Sequence, residues 1–310
     1  MKESLGWATK YSWFDNPNGN LEINIEPLCK HIVKYQKEIL NTPSFEWFLP
    51  KWLNEELNPE TLFIFLSSIM VSDYCLWNGN FNNLYTIKIK QNDKDYVLKG
   101  PDAYYYRIIN NLFPTKGSWE LEYSLGNVYD SFNFGCIISM PELEKRSQDI
   151  FNIRNKLLSM KGLLNKVIDC GRASEMARFL FSMVNQYNED KLYSKPQLIS
   201  YIFSTIMNNK FKKNIDVSGL CGFVNHYIIG TCIELGVFRK PVKDLEIKQG
   251  TDIERKNSSF CLISIHEACK FLYNDSKLRL NRADLCDWLT RVGKNSNVNN
   301  PLILYEGHYY

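Results

Sequence analysis

The chain has 310 residues, 45% of them hydrophobic and 23% charged, with 37 basic against 34 acidic side chains and a net charge of +3. These proportions belong to a globular protein with a full core and exclude a disordered, collagenous or polybasic chain. So small a positive charge does not announce nucleic-acid binding.

Residues 1–26 read as an irregular, Asn-rich segment, and the N-terminus has no apolar core of the kind a signal peptide needs. Pro27 opens a predicted helix with Leu28, Ile32, Tyr35 and Ile39 on one face. Asn58-Pro59-Glu60 combines a cap with Pro at the first helical position, and the apolar helix it opens is expected to end near Ser72. The longest apolar run, Leu62 to Val71, falls far short of the ~20 residues of a membrane span. Tyr85, Ile87 and Ile89 alternate with Thr86, Lys88 and Lys90, which is a strand period. With a polar turn from Gln91 to Lys94 and a second strand from Asp95 to Lys99, residues 84–99 read as an antiparallel β-hairpin.

Beyond Gly100 the pattern is almost wholly helical. Ser139-Met140-Pro141-Glu142 reads as a capping box opening a helix to about Met160. Ser194-Lys195-Pro196-Gln197 reads as a second box, opening a helix through Met207. Asp216 is expected to cap a helix that ends at Gly236. Further helices are expected from about Ser259 to Tyr273 and from Asn281 to Gly293. No linker composition interrupts the chain. The expectation is therefore one mostly α domain over residues 1–310, a helical bundle with a small β-hairpin inserted in the first third.

The nine cysteines contain no C-x-x-C pair and match no zinc module, so reduced, buried thiols in a cytoplasmic protein are expected. No P-loop, G-x-G-x-x-G, H-E-x-x-H or deaminase-type zinc signature is present, and neither metal nor cofactor is implied. Aromatic residues make up 14% of the chain, which suits either flat-faced pockets or an aromatic-rich core.

Asp216 to Gly236, D-V-S-G-L-C-G-F-V-N-H-Y-I-I-G-T-C-I-E-L-G, resembles the pattern D-[IV]-S-x-[IL]-[TC]-x-F-A-D-Y-R-V-P-Q-x-L-x-x-L-G of the queuosine salvage family. That family consists of helical N-glycosylases that release the base queuine from its nucleotide. Asp216, Ser218, Phe223, Leu235 and Gly236 match without a gap. Asp73-Tyr74-Cys75-Leu76-Trp77 is similar to the family's N-F-x-F-W, and Gly100-Pro101-Asp102-Ala103 to its G-x-W-S helix start. Ser139 to Arg146 resembles S-M-P-L-x-E-E-R, Tyr193 to Gln197 resembles Y-K-R-A-Q, and Asp284 to Trp288 resembles D-Y-Y-L-W. The final Tyr309-Tyr310 is similar to a common Y-Y ending. The departures fall on ionisable positions: the family's Asp and Arg are Asn225 and Tyr227, its Lys-Arg is Ser194-Lys195, and its E-V-E-I-R becomes an uncharged region near residues 258–263.

Cleaving an N-glycosidic bond develops positive charge on the sugar and negative charge on the departing base, so a carboxylate and a cation or proton donor are required. The resemblance implies Asn225 and His226 at the scissile bond, with Asp216 or Asp73 as the nearby carboxylate. Losing one well-placed charge lowers a rate by roughly a hundred- to thousandfold, so Asn225 implies slow chemistry or an easily leaving base. His226 is an acid or base near neutral pH, or a packed histidine. Trp77 and Tyr104 would stack on a flat base, or belong to an aromatic core. Lys195, Gln197, Arg146, Phe223 and Tyr227 would contact phosphate or base, although Arg146 could simply pair with Glu142 one turn away.

Three functions follow as expectations. The first is release of a queuosine-type base from a free nucleoside or nucleotide. The second is a DNA glycosylase redirected to a modified base, such as a hypermodified phage base, with phosphate contacts from Lys210, Lys212 and Lys213 and from Arg239, Lys240 and Lys243. The third is a binding protein that has lost catalysis. The expected partners are a modified nucleoside, nucleotide or nucleic acid, and no membrane.

Overall fold

The computed structural model describes residues 24–41, 45, 49–56, 58–72, 76–78, 83–120, 125–189, 194–237 and 252–295. They form a mostly α architecture with a small antiparallel sheet in the first third, as the residue patterns predict. Helices α1 (Glu26–Lys34) and α2 (Gln36–Ile39) bury Leu28, Ile32 and Ile39, so the predicted apolar stripe does face the core. Helix α3 (Lys51–Glu55) leads to α4 (Pro59–Met70). There Asn58 Oδ1 accepts from the Thr61 N–H at 3.1 Å, a side-chain cap ahead of a proline-started helix. Every residue of α4 from Leu62 to Met70 is buried, which marks a central core helix.

Strands β1 (Trp77–Asn78) and β2 (Asn83–Leu84) pair with each other, and β3 (Thr86–Gln91) pairs with β4 (Lys94–Lys99) as the predicted hairpin. Its two turn residues, Asn92 and Asp93, have φ of 50° and 58°, the left-handed region that short polar side chains tolerate. A third strand, β5 (Cys136–Ile138), adds to the other edge of β3 and gives the order β4-β3-β5. Three residues are too few to show a period of two, and the β1–β2 pair is shorter still.

The rest is helical: α5 (Gly100–Arg107), continuing into one wide π turn at Ile108–Leu112, then α6 (Lys116–Glu120) and α7 (Leu125–Asn133). Next come α8 (Leu143–Ser159), α9 (Lys161–Asp169) and α10 (Ala173–Met183). The last four are α11 (Ser194–Phe211), α12 (His226–Glu234), α13 (Asp252–Ser276) and α14 (Arg282–Asn295). Helix α4 packs on α8, α9 and α11, while α12, α13 and α14 pack on one another. One buried apolar cluster runs through these elements from Leu28 to Leu289. No helix of the described residues is long and apolar enough to cross a membrane.

Several boundaries correct the expectations. The 139–142 stretch is not a capping box: Glu142 itself flanks α8, at φ 50°, and makes no side-chain cap hydrogen bond. Asp216 does not open a helix, since α12 starts ten residues later, at His226. Gly236 does end α12: at φ 69° it donates to the Ile233 carbonyl, and Val237 N–H donates to the Cys232 carbonyl at 2.9 Å. Helix α11 runs past Met207 to Phe211, and α13 starts at Asp252. Gly293 lies inside α14 rather than ending it. A Cβ there would sit 2.7 Å from the Tyr227 backbone oxygen, so this glycine lets α14 and α12 touch backbone to side.

Candidate functional site

Residues 212–225, the first half of the family-like stretch, carry no helix or strand beyond one isolated bridge between Asp216 and Arg172. A partly buried irregular segment must find partners for its backbone groups, and side chains of α11 supply them. The Asn208 amide bonds Ile215 twice, accepting from its N–H at 2.6 Å and donating to its carbonyl at 2.9 Å. Gln197 Oε1 accepts from the N–H groups of Cys221 and Gly222 at 2.5 and 3.1 Å. Ser194 Oγ accepts from Val224 N–H at 3.4 Å. Gly222 has φ 102°, and a Cβ on it would lie 2.9 Å from Cys286 Sγ of α14, so the loop threads a slot only glycine fits.

Asn225 closes the loop and caps α12. Its Oδ1 accepts from Ile228 N–H at 3.1 Å, and its Nδ2 donates to Thr290 Oγ1 of α14 at 3.0 Å. Both ends of the amide are thus engaged within the protein. His226 is the first residue of α12, its side chain outside the described residues. Asp216 is exposed and accepts from the Ser218 N–H at 2.9 Å, a local turn that sets the loop's course. Tyr227 is half-buried against Gly293, and Phe223 is buried.

A second group gathers at the C-terminal end of α4. Arg146 is fully buried on α8 and donates through Nε to the Pro141 carbonyl at 2.7 Å and through a terminal nitrogen to the Ser72 carbonyl. Its guanidinium therefore reaches across to α4 instead of resting on Glu142 alone. Lys195, 8% exposed, donates from Nζ to the Val71 carbonyl at 3.3 Å. The buried Tyr104 hydroxyl donates to the Ile69 carbonyl at 2.6 Å and lies against Ser72 Oγ. Two cations and a phenol thus meet the carbonyls at the negative end of a core helix. Asp73 follows Ser72 directly in the chain and lies outside the described residues, as does the side chain of Trp77.

The structure adds a third group that the residue patterns did not single out. Tyr201, one turn beyond Gln197 on α11, is buried and donates to Asp284 Oδ1 at 2.8 Å. Asp287, one turn further along α14, is also buried and accepts from Arg291 Nε at 2.9 Å. The Tyr201 ring lies 5.8 Å from that of Phe223, and Thr290, which holds Asn225, follows Asp287 by three residues. Burial pushes both carboxyls above the usual range. Asp287 is raised to about 6, against the opposing pull of Arg291 and with a smaller push from Asp284; Asp284 is raised despite its bond from Tyr201. Burial, followed by the two nearby carboxylates, also raises the Tyr201 phenol, which keeps it a proton donor. The available signal was D-L-C-D-W-L, two acids at i and i+3 inside an otherwise apolar helix.

The first two turns of α11 therefore join all three groups. Ser194 and Gln197 hold the loop, Lys195 reaches the end of α4, and Tyr201 reaches the carboxylates of α14. Of the basic clusters, Lys210 bonds Asn54 and Lys212 bonds the Asn209 carbonyl at 3.0 Å, while residues 239–243 lie outside the described residues. No protein-family model matches the chain, and no curated protein is significantly similar to it.

Proposed function

We propose that the protein is an N-glycosylase that hydrolyses the bond between a modified, queuosine-type nucleobase and its sugar in a nucleoside or nucleotide. The observation that carries this reading is the polarity along α11. Buried cations lie at its first turn and buried carboxylates face it at Tyr201, six residues or about 9 Å further on. Such a bond breaks with positive charge at the sugar and negative charge at the base, and this arrangement holds both counter-charges along the first two turns of one helix. The family-like loop, with Phe223 and Asn225, lies beside the carboxylate end.

In this reading Asp284 and Asp287 supply the charge that the family's Asp would give at Asn225. Asp284, held by its bond from Tyr201, faces the cation forming at C1′. Asp287, raised to about 6, is partly protonated near neutral pH and gives its proton to the base nitrogen as the C–N bond breaks. Water then adds to C1′ and returns a proton to the carboxylate, so the products are the free base and the sugar. Asn225 positions the loop through its cap. Lys195 and Arg146 form the end that receives base or phosphate.

Mass spectrometry of bases released from queuosine nucleotides, unmodified DNA and DNA carrying hypermodified bases tests this reading. Release of free queuine from the nucleotides is expected. Release from DNA alone would make the protein a DNA glycosylase, and no release from any substrate would make it a binding protein.

A further inference from the structure

Half of the exposed large apolar side chains among the described residues lie on the two edges of the three-stranded sheet or in the segment leading into β5. Tyr96 and Val97 are on β4, Ile137 is on β5, and Tyr129 and Phe134 are on the helix and turn that lead into it. Phe134 is 75% exposed and Val97 52%. Successive strand residues point to opposite faces, so at the β4 edge Tyr96 and Val97 leave one large apolar side chain exposed on each face of the sheet.

The hairpin register shows what such a surface can bind. Gly100 N–H donates to the Tyr85 carbonyl, and pairing then runs Ile87 with Leu98 and Ile89 with Tyr96. In an antiparallel pair alternate residues exchange hydrogen bonds, so Tyr96 and Leu98 turn their backbone groups toward β3 while Asp95, Val97 and Lys99 turn theirs outward. Among the described residues β4 is an edge strand, and its outward row is acid, apolar, base.

That row is complementary to itself when reversed. We propose that the protein forms a twofold dimer through β4, with Val97 opposite Val97 of a second copy, joining two three-stranded sheets into one. In this register Asp95 stands opposite the partner subunit's Lys99, twice by symmetry, and Tyr96 packs opposite the partner subunit's Leu98 on the other face. Shifting the centre to Tyr96 would put Asp95 opposite Val97 and Lys94 opposite Leu98, losing both matches. Asp95 also lies 2.7 Å from Lys88 of its own chain, an exposed pair that a carboxylate with two oxygens keeps while accepting from Lys99. The isologous contact closes after two copies, because β4 is consumed on both sides.

Sedimentation equilibrium of the full chain across a concentration series tests this. The wild type is expected to sediment at twice 36.3 kDa. Val97→Pro removes an N–H that points outward and is not used by β3, so it should give a monomer with an unchanged circular dichroism spectrum. Asp95→Lys sets like charges against Lys99 and should raise the dissociation constant by about tenfold, while Asp95→Lys with Lys99→Asp should recover it to within about threefold. The charge pair reads the register even if the proline variant does not fold. A wild type that is monomeric at every concentration, or a dimer indifferent to these changes, would overturn the proposal. A monomer that binds DNA in a salt-dependent way, lost on neutralising Lys88 and Lys90, would overturn it in favour of a nucleic-acid surface.

Discussion

The two ends of the first eight residues of α11 meet buried ionisable groups by opposite means. At the first turn, Arg146 and Lys195 meet backbone carbonyls of the 140s turn and of the end of α4. Carbonyls at a helix end need donors from outside the helix, and these cations supply them. Six residues on, Asp284 and Asp287 meet a phenol and a half-exposed guanidinium, and burial pushes both carboxyls up. The first arrangement stabilises the fold with its charges in place. The second raises both carboxyls by burial, Asp287 to about 6.

The contrast can be broken most severely at Arg146. Arg146→Ala leaves the Pro141 and Ser72 carbonyls without their charged donor and empties a fully buried site, so unfolding in urea should show a loss of about 3–5 kcal/mol. Asp287→Asn should do the reverse: the protein folds normally, but base release measured in a single turnover falls roughly a hundred- to thousandfold. An unchanged rate in that variant would remove Asp287 from the chemistry.

A third comparison uses pH. The carboxyl of Asp287 sits at about 6 in the folded protein, above the roughly 3.9 of an unfolded chain, so the folded state binds the extra proton between those values. Its contribution is present below about pH 4 and is lost as pH rises through 6, a change of roughly 3 kcal/mol that Asp287→Asn should abolish. Thermal melts of the two proteins from pH 4 to 7 read this difference. The smallest effect is expected at Asn225. Asn225→Ala should lose about 1 kcal/mol through the α12 cap, whereas Asn225→Asp keeps the cap and gives up only the bond to Thr290.

What the residues reveal in advance depends on how local the cause is. Asn58-Pro59, the Asn92-Asp93 turn and Gly236 each act within a few residues, and each element ends or begins where it should. Asp216 misleads because a cap-type residue ahead of an apolar run looks the same whether a helix follows at once or after a loop. The loop exists because Asn208, Gln197 and Ser194 of α11 satisfy its backbone, and those partners are tertiary. Asp284 and Asp287 escape notice for a similar reason: two acids on a helix usually face water, and only the packing of α14 against Tyr201 and the loop removes them from it. Lys195 and Arg146 fall in the motifs that carry the resemblance and Tyr104 is among the stacking candidates, but that they meet at one helix end is visible only in three dimensions.

Gly293 bears on motion as well as on packing. With no side chain between them, α12 and α14 interlock, and the Thr231 hydroxyl bonds both the Tyr227 carbonyl of its own helix and the Leu289 carbonyl of the other. The capped loop and the two carboxylates therefore ride on a single stiff body. Amide hydrogen exchange should accordingly find its slowest protons along the α12–α14 seam.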